Sequence, residues 1–491
     1  MKLLIDGDWV DSSSGKTQQK FNPTTGEKLE EFPLATKDDV SRAIDAADSS
    51  YEKWNDIGSK ERAKILKKAL DMIQASRKEL EEILIRENGK IAKEAAGEVD
   101  GVIDQLTYYI GFERKFSGDV LEGPGRMQKL FLHKVPHGVV VALTPWNFPA
   151  GMVARKLGPA LLTGNSVVLK PSSDTPLSAE WIVRKFVDAG VPKGVLNFVT
   201  GKGSEIGDFI VSHKKVSLVT LTGSTETGRR IMKNASNNMA KLMLELGGKA
   251  PYIVWKDADL KAALKTLLWA KFWNTGQSCI AAERLYVHSD VYGKFMDMFK
   301  DAASRIRVGD PMTADMGPLI NKSALENMKN IVESAMSDGA KVLYGGKQPS
   351  LQGKLSGGYF FEPTILEGAD QKSSIFQNEI FGPVLGAMPV DDIDETFRLA
   401  NDSIYGLASY LFTNDNRIIM EGFDRIRFGE LYVNMPGPEA SNGYHTGFRM
   451  TGQAGENSRH GVEEYLKIKN IYIDYSGKVP EIDTIRNDIL P

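Results

Sequence analysis

Residues 138–170 read GVVVALTPWNFPAGMVARKLGPALLTGNSVVLK, and this stretch decides the fold. It begins and ends with short runs that are nearly continuous in apolar residues, Val139 to Leu143 and Ser166 to Lys170. Strands that are covered by helices on both faces have this composition, whereas half-exposed strands alternate. The residues between the two runs fit a helix. The sequence therefore predicts a strand, helix, strand unit of a parallel sheet.

The same rhythm continues along the chain and extends the sheet. Further β-rich runs are expected at Val195 to Val199, Val216 to Leu221, Lys241 to Leu246 and Tyr252 to Val254. Open α/β sheets bind ligands beyond the carboxyl ends of their strands, and glycine or proline follows several of these runs. Such residues are Pro145, Pro149, Pro171, Gly201, Gly203 and Gly223. We therefore predict a doubly wound α/β fold whose loops line a crevice.

Other segments surround this sheet. Helical apolar spacing runs from Ser41 to Glu98, and a second alternation of helices and strands, from Asp259 to about Val433, predicts a second α/β domain. Two alternating β-rich segments, Met127 to Val135 and Lys467 to Tyr475, would expose sheet edges unless they are paired. They indicate either a subunit interface or edge strands protected by their lysines, and composition leaves both open.

Composition excludes several classes of protein. Among 491 residues, 61 Lys and Arg nearly balance 64 Asp and Glu, and no long basic run is present, so nucleic acid is not expected as a partner. No apolar run approaches the about 18 residues of a membrane span, and early acids interrupt any signal-peptide core. We expect a cytoplasmic protein without a membrane partner. The single cysteine, Cys279, excludes a disulfide framework and a zinc site of several thiolates, and no metal is expected.

Two residues have candidate catalytic chemistry. Glu245 lies in an apolar run just before Gly247, where burial would disfavour its charged form and tune it towards general-base work. It also fits an acid on the exposed face of a strand. Cys279 comes 34 residues later, after a turn containing Gly276 that would present a thiolate to a carbonyl carbon. Its alternative is a small buried hydrophobic residue.

These motifs resemble those of the aldehyde dehydrogenase superfamily. LELGGK at 244–249 and GQSC at 276–279 are similar to its two active-site signatures. Further matches are TPWNFP at 144–149, GPAL at 158–161, TGSTETG at 222–228, MGPLI at 316–320 and EIFGPV at 379–384. The resemblance covers nearly the whole length of the chain.

The resemblance implies three structural parts. A Rossmann-like dinucleotide-binding domain would comprise residues 1–115 and 137–247, and an α/β catalytic domain residues 248–450. Residues 116–136 and 467–491 would form a small β arm for oligomerisation. A homo-oligomer is expected, with dimer and tetramer both open.

The resemblance also implies catalytic roles. Cys279 would attack the aldehyde, while Asn147 and the backbone N–H of Cys279 hold the oxyanion. The thiohemiacetal then gives up a hydride to a nicotinamide, and Glu245 activates water to hydrolyse the thioester. Lys156 is expected among the catalytic residues. Without the resemblance, Asn147 fits equally a residue that caps a turn.

The resemblance implies a cofactor site as well. Ser173 replaces the glutamate with which NAD-preferring relatives bind the adenosine ribose, so repulsion of a 2′-phosphate is absent, and Lys193 would add positive charge. We therefore predict a preference for NADP, with NAD possible. The residues expected to bind the cofactor are Trp146, Lys170, Ser172, Ser173, Lys193, Gly203, Gly223, Ser224, Gly247, Glu379 and Phe381.

The substrate site resembles the lactaldehyde and glyceraldehyde dehydrogenase branch. Arg155 stands where many relatives have an apolar residue, which favours polar substrates, and His445 would bind a substrate hydroxyl. Phe148 and Ser278 are also expected to contact the substrate. His445 alternatively fits a surface histidine. We predict oxidation of a small hydroxyaldehyde, glyceraldehyde or lactaldehyde, to its acid.

Several rival functions share these residues. The alternatives are an NAD-dependent enzyme for another polar aldehyde or a semialdehyde such as succinate semialdehyde, a CoA-acylating dehydrogenase, a thiol hydrolase without a redox cofactor, and a non-catalytic binding protein of the same fold. Glu245 favours hydrolysis over transfer to CoA.

Overall fold

Two largely parallel sheets form the framework of the protein. The computed structural model describes residues 1–478. The N-terminal part consists of β1 (Leu3–Ile5), β2 (Asp8–Val10), β3 (Thr17–Phe21), β4 (Lys28–Pro33), α1 (Lys37–Asp56), α2 (Gly58–Ala75), α3 (Arg77–Asn88) and α4 (Ala92–Ile110). It is followed by β5 (Asp119–Glu122), β6 (Gln128–Pro136), β7 (Val139–Leu143), α5 (Pro149–Leu162), β8 (Ser166–Lys170), α6 (Pro176–Ala189), β9 (Leu196–Phe198), α7 (Gly203–Ser212), β10 (Val216–Thr222), α8 (Thr225–Ala235) and β11 (Lys241–Glu245).

The second half of the chain alternates again. Its elements are β12 (Ala250–Val254), α9 (Leu260–Phe272), β13 (Ala282–His288), α10 (Ser289–Ser304), α11 (Lys322–Ser337), β14 (Lys341–Tyr344), β15 (Thr364–Glu367), α12 (Ser374–Gln377), β16 (Val384–Val390), α13 (Ile393–Asn401), β17 (Ala408–Phe412), α14 (Asn416–Arg425) and β18 (Glu430–Val433). The chain continues with β19 (His445–Thr446), β20 (Gly452–Gln453), β21 (Gly455–Glu456), α15 (Ser458–Glu463) and β22 (Leu466–Asp474).

The first sheet has the order β2-β1-β9-β8-β7-β10-β11-β20. Its five central strands, β9 to β11 in that order, are parallel, and β7 and β8 are buried along their whole length. All residues of α5, the helix between them, are buried as well, which explains why the sequence from 149 to 162 is apolar except for Arg155 and Lys156. The predicted doubly wound α/β fold is confirmed.

The second sheet has the order β14-β15-β16-β13-β12-β17-β18, with only β14 antiparallel to its neighbour. The run Tyr252 to Val254, which the strand rhythm had grouped with the first sheet, belongs to this second sheet. The chain crosses between the sheets at the glycine pair that follows Glu245. A run of short apolar strands does not by itself reveal such a crossing, because every buried strand has the same composition.

A third, three-stranded antiparallel sheet has the order β22-β6-β5. The two segments that were expected to expose edges pair with each other, from Leu466 opposite Pro136 to Asp474 opposite Gln128. Large apolar side chains nevertheless remain exposed on this sheet, among them Val120, Ile468 and Tyr472. The predicted arm extends to residue 491, and its last part, residues 479–491, lies outside the described residues.

The C-terminal segment returns to the first sheet and completes it. β20 pairs with β11 so that Gly452 lies opposite Glu245. β19 pairs with β21 so that His445 lies opposite Glu456. The end of the chain therefore brings two further ionisable side chains towards the predicted catalytic glutamate. No helix within residues 1–478 combines the length and the apolarity needed to cross a membrane.

Candidate active site

Cys279 follows a turn whose backbone is unusual. The short 3₁₀ segment Trp273–Gly276 contains Asn274 (φ 51°), Thr275 (φ 59°) and Gly276 (φ 72°) in the left-handed region. A Cβ on Gly276 would lie 2.3 Å from the carbonyl oxygen of Gly382, so only glycine fits there. Non-glycine residues in this region cost free energy, which the surrounding contacts must offset.

Two cavities meet at this cysteine. The larger, of 590 Å³, lies beyond the carboxyl ends of the first sheet, and the smaller, of 260 Å³, lies between α4, α5 and the C-terminal segment. Asn147, Thr222 and Cys279 line both. A molecule in either cavity would reach the same thiol, which is the arrangement that a reaction between a cofactor and a substrate needs.

Asn147 is held by residues from distant parts of the chain. Its side-chain Nδ2 donates to the carbonyl oxygen of Gln277 at 3.2 Å, beside Cys279. Its own carbonyl oxygen accepts from Lys90 Nζ at 2.8 Å and from Asn274 Nδ2 at 3.0 Å. The amide is therefore a fixed donor next to the thiol.

The sequence analysis missed the residues that hold this loop. Lys90 is fully buried and pairs with Glu98, whose Oε1 accepts from the first N–H groups of α5 at Ala150 and Gly151. Lys90 and Glu98 lie in a helical region that the apolar pattern assigned to packing. A buried lysine has no distinguishing signal in sequence, because most lysines are exposed.

Glu245 ends β11 and is buried, with only 3% of its surface exposed. Neither of its carboxylate oxygens has a hydrogen-bond partner among the described residues. Burial raises the pKa of Glu245 well above its ordinary value, while His445 and Lys156 oppose this. The expectation of an exposed strand acid is therefore excluded, and the carboxyl group is free to take a proton from a water molecule.

Lys156 lies behind Glu245 rather than in either cavity. Its Nζ donates to Thr220 Oγ1 at 2.9 Å and forms an ion pair with Glu456. The residues that line the two cavities do not include it. Any effect of Lys156 on the reaction would thus come from its positive charge and from the Glu456 carboxylate that it holds.

A cluster of buried charges closes the small cavity. Arg155 Nη2 lies 2.6 Å from Glu439 Oε1, and His445 Nδ1 lies 2.8 Å from Glu430 Oε1 and 3.7 Å from Glu439 Oε2. Ligand atoms of Glu430, Glu439 and His445 lie within 4.8 Å of one another, and of these three residues Glu439 forms the ion pair with Arg155. His445 is buried, so it is not a surface histidine.

The four residues expected to contact the substrate all line the small cavity. These residues are Phe148, Arg155, Ser278 and His445. The Phe148 ring packs against Trp273, with 4.6 Å between ring centroids. Lys90 Nζ lies 4.0 Å from the centroid of the same Phe148 ring. One end of the cavity is therefore aromatic, and the other is ionic.

The larger cavity is lined by ten of the eleven residues that were expected to bind the cofactor. They are Trp146, Lys170, Ser172, Ser173, Gly203, Gly223, Ser224, Gly247, Glu379 and Phe381. Lys193 is the exception. Its side chain crosses Gly7 and its Nζ pairs with Asp8 at 3.0 Å, at an exposed place outside the cavity lining. Lys193 therefore lies apart from the other ten residues in this structure, and its contact with the cofactor stays a prediction.

The larger cavity fits a nucleotide with a 2′-phosphate. Lys170 is buried, its Nζ donates to the neighbouring carbonyl of Pro171, and it forms no ion pair with a carboxylate within residues 1–478. Ser173 donates to the carbonyl of Gly201 and brings no negative charge. Ser224 is the N-cap residue of α8, and the N–H groups at this end of a helix can bind an anion such as a phosphate. Arg230, paired with Asp208 at 2.6 Å, also lines the cavity and was not singled out from the sequence.

Glu379 approaches the chain where it crosses between the sheets. Its Oε1 accepts from Gly248 N–H at 2.8 Å, and a Cβ on Gly247 would lie 2.7 Å from its Oε2. The loop that carries Glu379 is held by Glu283, which accepts from Ile380 N–H at 2.9 Å and from Phe381 N–H at 2.8 Å. Glu283, unrecognised in the sequence, also pairs with buried Lys249.

This geometry agrees with comparisons with known proteins. The chain belongs to the aldehyde dehydrogenase family, whose model matches residues 9–471. It is 66% identical over 488 residues to the D-glyceraldehyde dehydrogenase (NADP(+)) of Thermoplasma acidophilum, with 99% of each chain covered. It is 36% identical to the lactaldehyde dehydrogenase of Escherichia coli, with 96% of this chain and 98% of that protein covered.

Solved structures agree with the fold. A 3,6-anhydro-L-galactose dehydrogenase in complex with NAP matches with a TM-score of 0.94 at 39% identity, covering 96% of this chain and 99% of that one. The lactaldehyde dehydrogenase of Escherichia coli matches with a TM-score of 0.93 at 36% identity, covering 96% of this chain and 99% of that one. The predicted family and fold are confirmed.

Lys90→Met tests whether the Asn147 loop depends on its buried lysine. The change removes the donor to the Asn147 carbonyl and leaves Glu98 unpaired, so kcat for aldehyde oxidation should fall by about tenfold or more, as expected when a catalytic donor is displaced. This kcat is measured by steady-state kinetics of reduced-cofactor formation. The matched control is Lys93→Met, at an exposed lysine near the start of α4. Equal rates for both variants would contradict the role of Lys90.

Proposed function

We propose that this protein oxidises D-glyceraldehyde, or a closely similar small hydroxyaldehyde, to the carboxylic acid with NADP as the preferred cofactor. The observation that carries the proposal is that two cavities meet at the single cysteine. One is a crevice with Ser173 in place of an acid, and the other is small and contains the ionic side chains of Arg155 and His445. The full-length similarity to D-glyceraldehyde dehydrogenases (NADP(+)) supports the same activity.

The residues divide the reaction into two stages. In the first, Cys279 sulfur bonds to the aldehyde carbon, and Asn147 Nδ2 with the Cys279 backbone N–H holds the resulting oxyanion. NADP, when bound, supplies the acceptor for the hydride that leaves this carbon. In the second stage, Glu245 removes a proton from water, which attacks the thioester and releases the acid and the thiol. Glu379 and the Phe381 loop position the nicotinamide end of the crevice, and Lys170, Ser172 and Ser173 the adenosine end.

The charges in the small cavity favour a neutral substrate. Arg155 already has a carboxylate partner in Glu439, and Glu456 lies 4.0 Å from its Nε. A semialdehyde that carries its own carboxylate would have to compete with Glu439 for the guanidinium and would meet several buried acids. Hydroxyl groups can instead accept from or donate to these side chains. This supports glyceraldehyde over succinate semialdehyde.

The proposal extends to assembly and location. The exposed apolar side chains on β5 and β22 support a homo-oligomer that is joined through the three-stranded sheet. Sedimentation velocity decides between monomer, dimer and tetramer. A cytoplasmic location remains the prediction from the sequence.

Initial rates of reduced-cofactor formation test the function directly. D-glyceraldehyde, lactaldehyde, propanal and succinate semialdehyde are each assayed with NADP and with NAD, for the wild type and for Cys279→Ala. We expect the highest kcat/KM with glyceraldehyde and NADP, and no activity in the variant. Higher kcat/KM with propanal or with NAD would overturn the corresponding part of the proposal, and acid that forms only as a CoA ester would indicate the CoA-acylating alternative.

Ser173→Glu should reverse the cofactor preference. The new carboxylate would repel a 2′-phosphate and accept hydrogen bonds from an unphosphorylated ribose, so the ratio of kcat/KM for NADP to that for NAD should fall by about tenfold or more. The matched control is Ser236→Glu, at the far end of α8. An unchanged ratio in Ser173→Glu would remove Ser173 from the explanation of cofactor choice.

Glu439→Gln should relax the discrimination against anionic aldehydes. Because the change frees the Arg155 guanidinium, the ratio of kcat/KM for succinate semialdehyde to that for glyceraldehyde should rise by about tenfold. The ratio cancels any change in thiol reactivity that is common to both substrates. Asp104→Asn, the same charge change at an exposed acid on the rim of this cavity, is the control. A ratio equal to that of the control would contradict the argument from Arg155.

Glu245→Gln should separate the two stages. The first turnover still releases reduced cofactor, but hydrolysis of the thioester loses its base, so a burst is followed by a steady state that is slower by about 100-fold. In the wild type, the raised pKa of Glu245 means that the steady-state rate increases with pH as its carboxylate forms, and this increase is absent in the variant. Glu61→Gln, on the surface of α2, is the control. Loss of the burst itself would show that Glu245 acts before hydrolysis.

A further inference from the structure

His445 occupies an unusual place beside the nucleophile. Its ring is buried between Glu430 and Glu439 on one side and Cys279 and Glu245 on the other. Nδ1 forms a hydrogen bond with Glu430 Oε1, at 2.8 Å. Nε2 lies 3.9 Å from Glu245 Oε2 and is the nitrogen that remains for the thiol. His445 and Cys279 line the same cavity, and each affects the ionisation of the other.

The charges around this ring favour its protonated form. The acids that face it are Glu430 on β18, Glu439, Glu245 on β11 and Glu456 on β21. Two buried cations belong to the same cluster, and each has a carboxylate partner: Arg155 pairs with Glu439 and Lys156 with Glu456. Glu439 and Glu430 together raise the pKa of His445 well above its ordinary value against the effect of burial. The acids therefore make this ring a strong proton acceptor, and a proton taken up at Nε2 would be held at neutral pH.

We propose that His445 activates the nucleophile by forming an imidazolium–thiolate pair with Cys279. Before the transfer the ring is neutral, with its one proton on Nδ1 towards Glu430. The S–H bond of Cys279 breaks, its proton passes to the free Nε2 of His445 to form the imidazolium, and the electron pair stays on sulfur. The inference rests on the proposed role of Cys279 and goes beyond it, because it gives the activation of the thiol to a residue other than Glu245. Burial, Glu439 and Glu245 raise the pKa of the Cys279 thiol above its ordinary value, and His445 is the group that opposes them. Formation of the thiolate therefore depends on this ring.

This division of labour accounts for two features of the site. Glu245, without a hydrogen-bond partner, is left for the water that attacks the thioester. Once sulfur is bonded to the aldehyde carbon it no longer carries charge, and the Nε2–H of His445 becomes available to a hydroxyl on the neighbouring carbon. One imidazolium thus serves the free enzyme and then the hydroxyaldehyde adduct.

Alkylation by iodoacetamide tests the pair without any substrate. Cys279 is the only cysteine in the sequence, so the second-order rate constant reports on it alone. In this reaction an S–C bond forms and iodide leaves. For the cofactor-free, full-length protein, the pH at which the rate is half-maximal should rise by about one unit or more in His445→Gln, with a rate about tenfold lower at pH 7, as expected when an opposite charge is removed from contact.

Two further variants make the test decisive. Glu430→Gln, which removes the Nδ1 partner, should move the profile in the same direction by a smaller amount. His460→Gln, the same substitution at an exposed histidine, should leave the profile unchanged. Identical profiles for the wild type, His445→Gln and Glu430→Gln would overturn the proposal. If His445→Gln does not fold, Glu430→Gln decides alone, and a profile equal to that of the wild type would overturn the proposal. The alkylation profile is independent of which aldehyde the enzyme oxidises, so failure of the proposed substrate does not affect this result.

Discussion

The balance of buried charge around Cys279 is the constraint on which the rest of the site depends. Six ionisable side chains, Arg155, Lys156, Glu430, Glu439, His445 and Glu456, are enclosed together with Glu245. A buried charge without a partner would destabilise the fold by several kcal/mol, so each group must find its partner among the others. Removing one of them changes the electrostatic environment of all. We therefore expect substitutions in this cluster to be non-additive.

The catalytic amide of Asn147 is also held by contacts with distant parts of the chain. Asn147 lies in a loop between a strand and a helix, where the backbone carbonyl has no strand or helix partner. Lys90 and Asn274 supply that partner, from the N-terminal helices and from the turn before Cys279. The same hydrogen bonds therefore join the loop of the oxyanion donor to the turn of the nucleophile. Their relative position does not depend on either loop alone.

Local pattern was sufficient to predict the parallel strands and the loops that line a crevice, because apolar runs and the glycines after them are encoded in adjacent residues. The individual cofactor residues came from the resemblance to the family. The motifs that contain Cys279, Glu245 and Asn147 predicted the aldehyde dehydrogenase family, and the comparisons confirm that family for the chain. The sequence analysis did not identify four residues of the site, because each contacts a backbone group or side chain that is far away in sequence. They are Lys90, Glu98, Glu283 and Glu430. Lys193 is the one expected cofactor residue that lies outside the cavity lining, because its position in the sequence does not show in which direction its side chain extends.

The pairing of β20 with β11 also has a consequence for the synthesis of the protein. Asn147, Glu245 and Cys279 are all translated well before residue 456, but the environment that gives them their chemistry needs the strand at Gly452, and His445 and Glu456 on β19 and β21. An incomplete chain therefore holds the reactive groups without the enclosure around them. Catalytic competence arrives only with the last segments to be made, so a prematurely terminated product would lack it.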